Sequence, residues 1–145
     1  MMKTINLKKS IAAIMVMVAT FSFAKANEPT EVSKSMAFSI NSYINLIKDG
    51  ETKGMEKLFA EDVKFNITRG NEIFSYGKNE EFAFIAKKKN LVQQCSVVSS
   101  VIMNSSNYSL VKVSMIYDNF TRENYVTMIK SGNNWKITEV SSEFK

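Results

Sequence analysis

The 145 residues are 45% apolar, 11% aromatic and 23% charged, a balance that excludes a disordered chain and, at this length, accommodates one domain with a single core. The net charge of +5, from 19 Lys and Arg against 14 Asp and Glu, suggests an acidic partner only until it is located. Lys3, Lys8, Lys9 and Lys25 lie in the first 26 residues, which hold no acid, so the rest carries 15 basic and 14 acidic residues and gives no reason to expect nucleic acid. The chain has no histidine, which excludes imidazole bases, Ser-His-Asp or Cys-His nucleophiles and His-ligated metals within one chain.

Residues 1–26 read as a secretory signal peptide. Lys3, Lys8 and Lys9 form its positive start, Ile11 to Phe23 its apolar stretch, and Ala24-Lys25-Ala26 its small-residue cleavage signal, with the cut before Asn27. The apolar run of about 13 residues falls short of the roughly 20 needed to span a bilayer, so no stable membrane anchor is expected after cleavage. The single cysteine, Cys95, is far from the cut and cannot carry a lipid there; within Gln94-Cys95-Ser96-Val97-Val98 it is expected to be buried in a strand. Asn66, Asn104, Asn107 and Asn119 each begin an Asn-x-Ser/Thr triplet. The lysine-led leader looks bacterial, so these triplets are read as chance products of an Asn- and Ser-rich chain, and the protein as exported to the periplasm or the medium.

The domain is expected over residues 27–145. After Pro29, Thr30 can cap a helix whose Val32, Met36, Ile40, Tyr43, Ile44 and Ile47 share one face and which ends at Gly50. Thr52 can cap a shorter helix presenting Met55, Leu58 and Phe59. Val63, Phe65 and Ile67 alternate with polar residues as a strand does, and Arg69-Gly70-Asn71 turns the chain into a partner strand, Glu72 to Tyr76. Asn79 can cap a third helix with Phe82, Ile85 and Ala86 inward, Glu80 and Glu81 in its first turn and Lys87, Lys88 and Lys89 in its last, where the helix dipole favours them. This placement makes the lysine run a solvated helix end rather than an anion site.

From Leu91 no helical period survives. Four strands are expected, at about 92–103, 108–118, 120–130 and 134–144, forming an antiparallel meander. In the second of them, Val111, Val113, Met115 and Tyr117 share one face. Three helices, an early hairpin and a long sheet make an α+β fold, with the helices covering the sheet's apolar face.

The carriers of a wider resemblance are Tyr43 through Gly50-Glu51, Met55-Glu56-Lys57-Leu58-Phe59-Ala60-Glu61-Asp62-Val63-Lys64-Phe65, Tyr76-Gly77, Asn124 to Lys130, and Gly132-Asn133-Asn134-Trp135-Lys136-Ile137. In order and residues the chain resembles the nuclear transport factor 2-like superfamily of cone-shaped α+β domains, which includes ketosteroid isomerases and polyketide cyclases. Within it the chain looks most like the exported bacterial lumazine-binding group. The resemblance spans about residues 34–144 and implies three N-terminal helices packed on a curved, mostly antiparallel sheet. Homodimers through the sheet are common in the superfamily, so a homodimer is implied too. The matching segments are packing and turn signatures, so they imply fold far more strongly than function.

In the isomerase branch a tyrosine on the first helix donates to an oxyanion and a carboxylate on the first strand moves the proton. The resemblance carries the tyrosine to Tyr43 but puts Ile67 at the carboxylate. Half the constellation is missing, which argues against an enzyme. Glu61 and Asp62, adjacent at a helix-to-strand turn, point apart and read as surface groups. Asp118, Arg122 and Glu123 cluster at a strand connection; Arg122 could hold a carboxylate, but an exposed turn of mixed charge is the ordinary reading. No metal set, phosphate loop or cofactor emerges. What remains is aromatic: Tyr43, Phe65, Tyr76, Tyr117, Tyr125 and Trp135 are the candidate contacts for a small apolar or aromatic ligand held in the cone. Non-catalytic ligand binding or protein interaction is the expected function, and a small isomerase or lyase of the ketosteroid isomerase or polyketide cyclase kind is the alternative.

Overall fold

The computed structural model describes residues 35–145. The expected signal peptide, its cleavage site, the Thr30 cap and Val32 lie outside the described residues. Helix α1 (Met36–Asp49) starts from Ser35, whose backbone is extended and whose side-chain oxygen accepts from the Phe38 amide. Ser35 is therefore the cap of this helix. Ile40, Tyr43 and Leu46 recur at three-residue spacing and are buried against the sheet, each worth roughly 2 kcal/mol of burial. The helix ends at Gly50 in the left-handed region, whose amide bonds back to Asn45 and Leu46.

Gly54, at φ +80°, starts the single-turn α2 (Met55–Leu58). The expected helix position of Phe59 is corrected here: Phe59 is the first residue of β1 (Phe59–Arg69), where it pairs with Ile137. Only one turn fits between a left-handed glycine and a strand held by tertiary pairing. The turn at Gly70 leads into β2 (Glu72–Tyr76), antiparallel to β1 in the register Phe65 to Tyr76. Helix α3 (Lys78–Ala86) is capped by Gly77 without a side-chain bond, so Asn79 lies inside it rather than capping it. Lys78 is tied to Glu61 at 2.9 Å and Glu56 at 3.6 Å. The three lysines fall beyond the last helical turn, with Lys87 as C-cap, and Ala86 is exposed rather than inward.

The meander follows as β3 (Ser96–Asn104), β4 (Tyr108–Ile116), β5 (Thr121–Ser131) and β6 (Asn134–Phe144). β3 starts four residues later than expected, and Cys95 is half-buried in the bend before it rather than buried within it. The strand order is β2-β1-β6-β5-β4-β3, with β1 parallel to β6 and all other pairs antiparallel. Register shifts in the β1–β6, β3–β4 and β5–β6 ladders mark bulges, which bend strands and help curve the sheet. The architecture is α+β, with α1, α2 and α3 against the inner face of a curved six-stranded sheet. Phe59, Val63, Val111, Val113, Met115, Val126, Met128, Ile137 and Val140 form the sheet's side of the core. Among the described residues no helix is long and apolar enough to cross a membrane.

Candidate functional site

Alternation along β4, β5 and β6 decides which side chains reach the helices. On β5 the inward set is Arg122, Asn124, Val126 and Met128, opposite Met115, Val113, Val111 and Ser109 of β4. Between this face, α1 and α3 lies a cavity of about 70 Å³ whose walls include Tyr43, Phe59, Phe65, Ile85, Met115 and Val140. The lining is mostly apolar. Its polar members are Tyr43 from α1, Glu81 and Lys88 from α3 and the segment after it, Gln93, and Tyr117 and Arg122 from the sheet.

The left-handed end of α1 builds one wall. A side chain at Gly50 would place its first carbon 2.7 Å from the Asn90 amide nitrogen and the Lys88 carbonyl oxygen, so only glycine lets residues 88–91 lie this close. The Asn90 amide bonds to the Gly50 carbonyl at 3.0 Å and that of Gln93 to Lys48 at 2.7 Å. Asn90 itself sits at φ +62°. This packing carries Lys88 and Gln93 to the cavity, where the Tyr117 hydroxyl donates to the Gln93 side chain at 3.1 Å. The Lys88 ammonium rests 4.2 Å from the centre of the Phe84 ring. Lys88 is exposed, as expected of a solvated helix end, and it also borders the cavity.

Tyr43 is 2% exposed, and its ring meets Phe59 edge-on at 6.4 Å. Burial pushes its hydroxyl up to about 12, so it is a proton donor at any ordinary pH. Burial likewise raises the Glu81 carboxyl above the usual range, an effect partly offset by the attraction of Arg122 and Lys88. Burial, then the neighbouring Cys95, raises Tyr117.

Beneath Arg122 runs a buried polar chain. The Asn124 amide donates to the Val113 carbonyl at 3.2 Å, the Ser142 hydroxyl donates to the Asn124 side-chain oxygen at 2.7 Å, and Arg122 Nη2 donates to Ser142 at 3.3 Å. Asn124 and Ser142 are both fully enclosed. Arg122 is therefore an oriented inward group, and its reading as part of an exposed mixed-charge turn is overturned. Its neighbour Glu123 faces the other side of the sheet, where it pairs with Lys145 at 2.8 Å. The Lys145 ammonium and the Tyr125 hydroxyl hold the Glu123 carboxyl below the usual range.

Of the six aromatic candidates, Tyr43, Phe65 and Tyr117 meet at the cavity. Tyr76 faces inward opposite Phe65 and packs on the core without bordering the cavity. Tyr125 lies on the outer face, its hydroxyl donating to Glu123 at 3.0 Å; strand alternation keeps it from touching anything inside. Trp135 lines a separate groove of about 410 Å³ between α1, α2 and the start of β6. Ile67 faces inward between Phe74 and Ser142, and the carboxylate that does enter the cavity is Glu81. A first-turn acid on a helix reads as a dipole partner, so nothing local in the sequence set Glu81 apart. Among the described residues no three potential metal-ligating side chains converge.

The model of the family described as "Putative lumazine-binding" matches residues 32–142. The chain belongs to this family. The family's member described here also shares its fold with solved structures of low sequence identity. One is a nuclear transport factor 2-like protein of unknown function from Silicibacter pomeroyi, with 9% identity and a TM-score of 0.61 over 75% of this chain and 92% of that one. Another, from Rhodospirillum rubrum and described as of unknown function in nutrient uptake, has 18% identity and a TM-score of 0.59 over 77% and 99%. A third, from Cytophaga hutchinsonii, has 19% identity and a TM-score of 0.57 over 72% and 91%. No curated protein matches the chain in sequence. At these identities the structures establish the nuclear transport factor 2-like fold alone.

Proposed function

We propose that this is an exported bacterial domain that binds a compact, partly aromatic small molecule in the interior cavity without transforming it. The observation that carries this reading is the cavity itself: apolar walls of Phe59, Phe65, Met115 and Val140 with a few converging polar groups, the usual composition of a ligand site. Its volume of about 70 Å³ is too small for a bicyclic pteridine, so lumazine itself is not the ligand proposed. Export rests on the leader in residues 1–26, and a homodimer through the sheet is part of the same reading. Native mass spectrometry of protein purified from its own host tests all three. The expected species starts at Asn27, is a dimer and retains a small molecule; an intact leader, a monomer or bare protein would each remove the corresponding part.

The second reading, proton transfer of the isomerase or lyase kind, draws on one observation, that Glu81 and Tyr43 line the same cavity. A carboxyl raised by burial and a permanently protonated phenol are the base and the oxyanion donor such chemistry uses. Exchange of an α-proton of a small ketone into heavy water, abolished by Glu81→Gln, would establish it; no exchange above buffer would leave binding alone.

A further inference from the structure

Arg122 is a cation on the inner face of a sheet, the place where an unmatched charge costs most. Its orientation is set by the chain of bonds through Ser142 and Asn124 to the Val113 carbonyl, and the Phe144 ring lies 5.9 Å from its guanidinium carbon. Yet its Nε is buried and no group among the described residues accepts from it. Glu81, the carboxylate that shares the cavity, does not come within ion-pair distance of it. An oriented guanidinium that borders an apolar cavity is a group that a carboxylate pairs with through charge-assisted hydrogen bonds.

The charged groups facing the cavity are Arg122 from β5 and Glu81 and Lys88 from α3 and its end; α1 contributes the neutral Tyr43, and β1 contributes Phe59 and Phe65. Two cations stand against one carboxylate, so a monoanion balances the site. We infer that the cavity selects small carboxylic acids: Arg122 pairs with the carboxylate through the part of its side chain that borders the cavity, and the ligand's ring or chain lies against Phe59, Phe65 and Tyr43. The inference deepens the ligand-binding reading and rests on it. Glu81 opposes the bound anion while it is ionised, so binding strengthens when it is neutral.

The test is a methyl-detected NMR titration of the protein with benzoate and its neutral counterpart benzamide. Met115, Val140, Ile47 and Ile85 report on the cavity, and the indole of Trp135, the one tryptophan, reports on the other groove. Benzoate is expected to shift the cavity methyls with an affinity at least tenfold above that of benzamide. Arg122→Met should erase the preference while benzamide still binds, Arg122→Lys should keep part of it, and Glu81→Gln should tighten benzoate severalfold at pH 7. Equal affinity for the two probes would overturn the inference while leaving the cavity a ligand site. Shifts at Trp135 alone, or none at all, would overturn both. The wild-type ratio and Arg122→Lys decide the matter even where Arg122→Met fails to fold.

Discussion

Tyr43 and Glu81 show what burial does to a single group. The native state holds the Tyr43 proton up to about pH 12, whereas an unfolded chain releases it near 10. Above pH 10 tyrosine ionisation therefore weakens the folded state relative to the unfolded one, and stability should fall by up to about 3 kcal/mol as pH rises from 10 to 12. Ultraviolet titration of phenolate should show one of the five tyrosines ionising last, and Tyr43→Phe should remove that step. Glu81 follows the same sign. Its raised carboxyl favours the folded state at low pH, and that contribution is lost as pH climbs through its native pKa. Glu81→Gln should raise the melting temperature by a few degrees at pH 7 and leave it unchanged at pH 4, as differential scanning calorimetry would show. Tyr43 could be placed inward from helical spacing, because the period of α1 leaves it one face to occupy. Arg122 could not, because near a turn alternation does not say which parity faces the core.

At the scale of elements, the decisive contact joins the end of α1 to the segment after α3. Gly50 combines a left-handed φ of +67° with backbone atoms of residues 88–91 closer than 3 Å to any added side-chain carbon. Gly50→Ala should cost at least about 2 kcal/mol in urea unfolding, with loss of order at Lys88 and Gln93 before the rest of the domain. The sheet has its own internal tie in Asn124, which is fully buried and bridges the Val113 carbonyl and Ser142. Asn124→Ala should destabilise by roughly 2 kcal/mol, since the carbonyl and hydroxyl it leaves are enclosed. Periodicity located the β1–β2 hairpin and the meander because each rests on local pairing and turn chemistry. It extended α2 too far, placing Phe59 in a helix, because β1 is held by parallel pairing with residues some eighty positions away.

For the whole molecule, the outer face of the sheet bears on assembly. Val98 and Ile116 are exposed there towards one end of β3 and β4, and Met103 and Ile129 towards the other end of β3 and β5, apolar groups for a second copy to cover. Sedimentation velocity is expected to show a dimer that Ile116→Lys dissociates without altering the circular dichroism spectrum; a wild-type monomer at high micromolar concentration would end that proposal. By itself the sequence determined the α+β class, the order of the strands along the chain and the near neutrality of residues 27–145. These depend on composition and short-range period. Only the tertiary structure decided that Tyr43, Phe65, Tyr117, Glu81 and Arg122 share one cavity while Tyr125 and Trp135 lie elsewhere. Those positions come from five separate segments, and their meeting depends on the parallel β1–β6 pair, the bulges that curve the sheet and the close approach at Gly50, all long-range contacts that no local pattern encodes.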